Sequence, residues 1–271
     1  MADLFEQAGR CIMASSPDTK LSLTRQTRDA WTAGELVLDR ETAAEPITRP
    51  GRPARPELVH PPQLKSRKLT SKTGRAAFLH ALAHIEFNAI NLAWDAVYRF
   101  RDLPGEYYDD WSRVAAEEAA HFVLLRDRLG ELGCEYGDFP AHDGLWHMAR
   151  QTAHDCLVRM ALVPRVLEAR GLDVTPAMIE RLRQLGDTGT VDALEVILSD
   201  EIGHVGIGSR WYHFLCEQRG VEPLETFRTL LDEYAPGRIR QPMNAEARQR
   251  AGFSRREMQL LNQLAASTPS R

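Results

Sequence analysis

The chain has 271 residues, of which 43% are hydrophobic and 27% charged, and its formal net charge is −4. These proportions are typical of a soluble globular protein, and no run approaches the roughly 18 apolar residues of a membrane-spanning helix. The slight acidity argues against a nucleic-acid-binding protein that depends on bulk positive charge.

The cysteines and the N-terminus bear on the cellular compartment. Cys11, Cys134, Cys156 and Cys216 are scattered along the chain and form no CxxC pair. Isolated cysteines of this kind are typical of reduced thiols, and the first residues lack the basic and apolar regions of a signal peptide. We therefore expect a cytoplasmic protein that does not associate with membranes.

The first 45 residues predict short helices. Leu4, Ala8 and Cys11 recur with the period of a helix that buries one face. Asp18 is a suitable N-cap for a second helical segment over residues 19–33.

Residues 46–66 change character, because six prolines exclude a regular helix there. We predict an extended arm in which Leu58, Val59 and Leu64 are buried. The prolines are Pro46, Pro50, Pro53, Pro56, Pro61 and Pro62.

Four long helices are predicted after the arm, at about residues 74–101, 109–132, 145–169 and 190–218. Pro164 lies inside the third and should kink it or open a wide turn. Gly171 is a suitable C-cap, and Thr175-Pro176 has the residue types that open a further short helix. Two further segments remain, over 223–234 and 244–266, and they are expected to form a helical extension. Because no convincing alternating strand pattern is present, the predicted fold class is all-α.

Six residues on the four long helices have the types and spacing of a dinuclear metal site. They are a lone Glu86, the pair Glu118-x-x-His121, a lone Glu168 and the pair Glu201-x-x-His204. Residues i and i+3 share one face of a helix, so each pair can direct a carboxylate and an imidazole at one point. Thirty-two residues separate Glu86 from Glu118, and thirty-three separate Glu168 from Glu201. Four carboxylates and two imidazoles from four helices are the ligand set of ferritin-like di-iron and di-manganese sites.

Roles within this set follow from the pattern. Glu118 and Glu201 are expected to bridge two metals, with Glu86 and Glu168 each binding one metal from outside. Apolar neighbours make an ionised carboxylate costly unless it is paired or metal-bound. Glu168 has an alternative, since Arg165 or Arg170 could pair with it.

Two further acids precede the Glu-x-x-His pairs. Asp200 and Glu117 are candidates to accept a hydrogen bond from a ligating histidine, because such histidines commonly donate their second N–H to a carboxylate. The alternative is that both are surface acids.

Several other features have two interpretations. His80 and His84 flank Glu86 but project at other angles, and we interpret them as core or surface histidines. Gly203, Gly206 and Gly208 indicate either close helix packing or a pocket beside the metals. Arginines near the C-terminus form either a solvated face or a lid over an anionic substrate; they are Arg238, Arg240, Arg248, Arg250, Arg255 and Arg256.

At these six positions the chain resembles the ferritin-like superfamily. Segments such as AHIEFNAINLAWDAVYRF, VLEARGLDVTP and DEIGHVGIG resemble the family known as domain of unknown function 455, over about residues 10–260. The resemblance implies a ferritin-like four-helix bundle with a dinuclear site, and it implies no substrate. We predict a helical segment and arm over 1–72, the bundle over 73–220 and a helical extension over 221–271.

The main functional hypothesis is an O2-dependent oxidoreductase, a hydroxylase or oxidase, with two iron ions or iron plus manganese. It would act on a small organic substrate with an external electron donor, and a homodimer is compatible with it. The alternatives are a ferroxidase or iron-handling protein, a non-catalytic scaffold, and a tRNA-modifying hydroxylase. The acidic composition argues against the last, and the basic tail slightly favours it.

Overall fold

The structure is a computed structural model that describes residues 1–65 and 67–267. It divides into two compact units, Met1–Arg150 and Gln151–Arg271. Apart from two strands of two residues each, the regular elements of the described residues are helical, which confirms the all-α prediction. The division into 1–72, 73–220 and 221–271 stays a prediction.

The first unit begins with two short helices, as predicted. They are α1 (Leu4–Met13) and α2 (Pro17–Thr32). The buried residues of α1 follow the expected helical period, and Asp3 caps the helix by accepting a hydrogen bond from the Glu6 amide. The prediction for α2 was wrong at its start, because Ser16 occupies the N-cap position and Asp18 lies in the first turn.

Two very short strands flank these helices, and the sequence did not predict them. β1 (Ala2–Asp3) and β2 (Leu36–Val37) pair in parallel. A strand of two residues is too short to produce a recognisable alternation of side chains.

The proline-rich arm is extended, as predicted, apart from one 3-10 turn at Pro61–Gln63. Two backbone hydrogen bonds hold it to a later loop, one to the carbonyl of Ala141 at 2.8 Å and one from the amide of Ala141 at 2.9 Å. The expected burial was wrong for Leu58, which is 38% exposed, and Val59 and Leu64 are only half-buried. Pro50 and Pro56 are buried instead.

The core of the first unit is a hairpin of two long helices, α3 (Lys72–Arg99) and α4 (Gly105–Glu131). Ser71 caps α3 by accepting a hydrogen bond from the Gly74 amide at 3.0 Å. The short connection makes the two helices antiparallel neighbours. α1 packs against α3, α2 packs against α4, and the unit ends with α5 (Gly144–Gln151).

The second unit is built around one long helix. The elements are α6 (Cys156–Leu162), a π-helix (Val163–Glu168), α7 (Ala169–Gln184), α8 (Thr188–Arg219), α9 (Pro223–Tyr234), α10 (Ala245–Arg250) and α11 (Arg255–Ser267). α6, the π-helix, α7, α9 and α10 pack against α8, and α11 packs against α9. α8 ends at Gly220, whose left-handed φ of 63° makes it a suitable C-cap.

The prediction of one helix over 145–169 was wrong. The helix is interrupted between α5 and α6. Asp155 caps α6 by accepting a hydrogen bond from the Leu157 amide at 2.7 Å. Arg219 also binds Asp155 through two hydrogen bonds of 2.7 Å. A contact across 64 residues therefore stabilises a break that the local sequence does not indicate.

The predicted break at Gly171 was also wrong, because α7 runs through both Gly171 and Pro176. Gly171 does not have the left-handed φ of a C-cap. Leu172, Ile179 and Leu182 are buried at helical spacing on both sides of the proline. Burial of this continuous stripe offsets the hydrogen bond that Pro176 removes.

The wide turn predicted at Pro164 is present as the π-helix. Its proline ring lies against Gly208 of α8, so close that a methyl group added to Gly208 would lie 2.2 Å from Pro164 Cγ. Close packing therefore explains Gly208. Gly206 has only an ordinary contact, with Ala251, and a methyl group on Gly203 would meet no described atom within 4 Å.

Gly208→Ala is expected to destabilise the protein by about 1–3 kcal/mol, because backbone and proline atoms must shift to admit the methyl group. Gly171→Ala is the matched control, since nothing described lies within 4 Å of that added methyl, and it should stabilise by about 0.5–1 kcal/mol through helix propensity. Urea unfolding of both variants measures the difference. Equal effects would contradict the packing role of Gly208.

Two other expectations concern the whole chain. All four cysteines are free, in agreement with reduced thiols. Among the described residues, none of the helices combines the length and apolar character required to cross a bilayer.

Candidate metal centre

The hairpin of the first unit brings Glu86 and Glu118 to the same level. Glu86 lies 13 residues before the end of α3, and Glu118 lies 13 residues after the start of α4. In an antiparallel pair of helices with a short connection, equal distances from the turn place two residues side by side. His121 follows Glu118 by one helical turn on the same face.

These three side chains form a buried cluster that could hold a metal ion. His121 Nδ1 lies 3.5 Å from Glu118 Oε2 and 3.6 Å from Glu86 Oε2, and one ligand atom from each of the three residues lies within 4.8 Å of the others. The separations exceed an ordinary hydrogen bond of about 2.7–3.2 Å. At these distances the ligand atoms of the three side chains converge on one point.

The cluster places two acidic side chains in a buried site. Glu86 is 6% exposed, and Glu118 and His121 are each 1% exposed. Burial by itself would lower the pKa of His121, but the carboxylates of Glu118 and Glu86 outweigh it and raise that pKa to about 11. Ionised carboxylates at this depth are costly unless they are paired or bind a cation, so the cluster is a suitable place for a metal ion.

The second unit carries a pair of the same kind. On α8, His204 Nδ1 lies 3.5 Å from Glu201 Oε1, the separation also found between His121 and Glu118. His204 is 1% exposed, and the Glu201 side chain is 13% exposed. Both Glu-x-x-His motifs thus present the same ring nitrogen to the carboxylate one turn earlier.

Glu168 is the last residue of the π-helix and is half-buried. The two arginines that could have paired with it are engaged elsewhere. Arg165 forms a buried ion pair with Glu257, and Arg170 donates hydrogen bonds to the carbonyls of residues 240–242.

The two acids predicted to support the histidines are both half-buried on the expected helices. Glu117 precedes Glu118 on α4, and Asp200 precedes Glu201 on α8. Their role as partners of His121 and His204 stays a prediction.

The tail arginines do not form one solvated face. Arg248 is 3% exposed and forms two hydrogen bonds with Asp173, at 2.9 and 2.7 Å. The interpretation as a solvated face is therefore wrong for Arg248, because a buried bidentate ion pair fixes it. The remaining five arginines are exposed.

His80 and His84 are buried and bonded away from the metal cluster, as interpreted from the sequence. His80 Nε2 accepts a hydrogen bond from the Gly137 amide at 2.9 Å. His84 Nδ1 lies 2.8 Å from the Tyr136 hydroxyl. Sequence reasoning missed Tyr136, whose ring packs against Phe87 and Phe122, because it lies in a loop without a helical or strand period.

His80 is expected to make the protein less stable in acid. Burial lowers its pKa to about 4 from an ordinary value of about 6.5. Between these values the unfolded chain binds a proton that the folded chain does not bind, so the free energy of unfolding falls as the pH falls from about 6.5 to about 4.

Urea unfolding at several pH values checks this expectation. His80→Gln keeps an acceptor for the Gly137 amide and should remove that part of the pH dependence. An unchanged slope in the variant would assign the acid sensitivity to other groups.

Two comparisons with known proteins give a match. A protein from Haemophilus influenzae, described as an uncharacterized protein, is 42% identical over 268 residues, which cover 95% of this chain and 93% of the relative. No solved structure gives a significant match. The family described as protein of unknown function, DUF455, matches residues 13–259, and the chain belongs to that family.

Proposed function

We propose that this protein binds two iron ions, or one iron and one manganese ion, and uses O2 to oxidise a small organic substrate. The observation that carries the proposal is the buried convergence of Glu86, Glu118 and His121. We propose that the six ligands Glu86, Glu118, His121, Glu168, Glu201 and His204 belong to a ferritin-like four-helix bundle.

The donor chemistry of the cluster fits such metals. Carboxylate oxygens and imidazole nitrogens suit iron and manganese, whereas soft thiolates select other metals. Bonds of about 2.0–2.2 Å to a common ion place neighbouring donor atoms about 3–3.5 Å apart. The 3.5 and 3.6 Å separations around His121 Nδ1 are close to that range.

The internal repeat supports two metals rather than one. Glu201 and His204 reproduce the separation of Glu118 and His121. Glu168 precedes Glu201 by 33 residues, as Glu86 precedes Glu118 by 32. We propose that Glu86, Glu118 and His121 bind mainly one metal, and that Glu168, Glu201 and His204 bind mainly the other, with Glu118 and Glu201 bridging.

The protein's own groups would fix the site and keep it dry. Two bound metals of this type would supply the redox chemistry for O2, with electrons from an external donor. Glu117 and Asp200 would hold the histidine rings in place by accepting their second N–H. The apolar residues of α3 and α4 exclude water from the carboxylates.

The test begins with metal content. Anaerobically purified protein titrated with ferrous iron should bind about two ions per chain, and Glu118→Ala/Glu201→Ala should bind none. His121→Ala and His204→Ala should each lower the stoichiometry or the affinity, because each removes a ligand from one proposed half. Absence of uptake by the wild-type protein would overturn the proposal.

The reaction with O2 separates the remaining functions. Consumption of O2 coupled to oxidation of an organic compound supports the oxidoreductase. Oxidation of many equivalents of added ferrous iron, without an organic product, would replace it by the ferroxidase alternative. Metal binding with no O2 consumption would replace it by a non-catalytic scaffold. A product found only on tRNA would indicate the tRNA-modifying alternative.

A further inference from the structure

A cavity lies in the first unit, on a face of α3 other than the one that carries Glu86. Its volume is about 390 Å³, within the range of small-molecule sites, about 300–1,000 Å³. Ala77, Ala81, His84 and Ile85 form its floor at the spacing of one helix face. Glu86 is nine residues from Ala77, which is half a turn round the helix, so the cavity faces away from the carboxylate cluster.

Two segments form the walls. On one side lies the end of the proline-rich arm, with Leu64, and on the other lie Phe139 of the loop after α4 and Leu145 of α5. The backbone hydrogen bonds around Ala141 hold the arm to this loop. Ile85 at the floor is 44% exposed, so its apolar side chain is accessible to a ligand in the cavity.

The charge of the cavity has one sign. Lys65 and Arg67 line it, and no acidic side chain does so among the described residues. The Arg67 guanidinium lies 5.3 Å from the centre of the Phe139 ring, so a cation of the arm is held against the opposite wall.

The two acids beside the Phe139 wall are engaged elsewhere. Asp143 forms an ion pair with Arg52 at 3.0 Å. Asp138 accepts a hydrogen bond from the Glu135 amide at 2.8 Å. Neither carboxylate lines the cavity.

We infer that this cavity binds a small organic acid, with an apolar body on the alanine and isoleucine floor and its anionic group between Lys65 and Arg67. The apolar lining supplies most of the affinity, and the two cations select for the anion. The site is independent of the proposed metal centre, and its test uses no metal and no turnover.

The probe is anilinonaphthalene sulfonate, compared with phenylnaphthylamine, which has nearly the same apolar body without the anion. The wild-type protein should bind the sulfonate at one saturable site. Lys65→Gln/Arg67→Gln should weaken the sulfonate by about tenfold and leave phenylnaphthylamine within about twofold, because only the former loses charge pairing.

Filling the cavity locates the probe. Ala81→Trp places a bulky ring over the exposed floor and should reduce binding of both probes by about tenfold or more. Ala177→Trp, at another exposed helical alanine, is the matched control and should leave both unchanged. Far-UV circular dichroism and the urea midpoint verify that each variant is folded.

Three results would overturn the inference. They are absence of saturable sulfonate binding to the wild-type protein, unchanged binding in Ala81→Trp, and equal weakening of both probes when the two cations are removed. The first two exclude the cavity as the site, and the third excludes selection for an anion.

Discussion

Replacing Arg165 with methionine is expected to lower the free energy of unfolding by about 3–5 kcal/mol, because it leaves a buried carboxylate without its counter-charge. Arg165 is fully buried and forms an ion pair with Glu257, which is 2% exposed. Burial alone would raise the pKa of Glu257, but His213 and Arg165 outweigh it and hold that pKa well below its usual range. The carboxylate is therefore charged in the folded protein.

An aromatic cage surrounds the arginine. Its guanidinium lies 4.4 Å from the ring centre of Phe227 and 4.5 Å from those of Tyr212 and Phe253. Each contact with a desolvated cation adds to the stabilisation, and methionine would lose all three. The contacts join the π-helix to α8, α9 and the segment before α11.

A double-mutant cycle measures the pair directly. Glu257→Met alone should also be costly, but Arg165→Met/Glu257→Met should cost clearly less than the sum, because no buried charge remains unpaired. Arg183→Met is the control, since Arg183 forms exposed ion pairs with Glu180 and Glu195; it should change stability by less than about 1 kcal/mol. Additive effects in the cycle would contradict the coupling.

The same ion pair bears on the proposed metal centre through Glu168. Arg165 and Glu168 lie on one π-helix, which is fixed by Pro164 against Gly208 and by Arg165 within the cage. A rigid supporting shell is what keeps a ligand within reach of its metal. We therefore expect Arg165→Met, where it still folds, to weaken metal binding at the half-site of Glu168 more than at that of Glu86.

The sequence predicts those parts of the fold that depend on local pattern. α3 and α4 were predicted within four residues of their observed ends, because a long apolar period and a Pro-Gly break leave few alternatives. The convergence of Glu86, Glu118 and His121 follows from the same pattern, since equal distances from a turn place residues side by side.

The features that the sequence did not predict depend on contacts distant in the chain. The break before α6 depends on Arg219, which is 64 residues from Asp155. Arg165 pairs with Glu257 across 92 residues rather than with a neighbour. Pro176 was interpreted as a helix start, because the buried stripe that carries α7 through it is visible only once packing is known. Local propensity is a weak guide wherever tertiary contacts override it.

Glu118→Gln is expected to separate metal binding from stability more sharply than any other change. The substitution keeps the size of a side chain that is 1% exposed and removes its charge. Without metal, the carboxylates of Glu86 and Glu118 lie close together around His121 Nδ1, so removal of one charge relieves like-charge repulsion. The metal-free variant should therefore unfold at the same urea concentration as the wild-type protein or at a higher one.

The metal-dependent stabilisation should behave in the opposite way. A ligand that binds only the folded state stabilises it by about 2.7 kcal/mol at a free concentration 100 times its Kd. The wild-type protein should show an increment of this size with ferrous iron under anaerobic conditions, and Glu118→Gln should lose most of it. A substitution that stabilises the metal-free protein but removes the stabilisation by metal is typical of a site optimised for metal binding rather than for folding.

Glu131→Gln provides the control for this comparison. Glu131 lies on the same helix, but its side chain is 64% exposed and pairs with Arg128, so its removal should leave both the metal-free midpoint and the iron increment unchanged. If Glu118→Gln instead lowered the metal-free midpoint and kept the iron increment, the cluster would be a structural ion pair. Its two carboxylates would then hold His121 and not a metal. Loss of the Glu118 charge is costly without a cation only if that charge stabilises the fold.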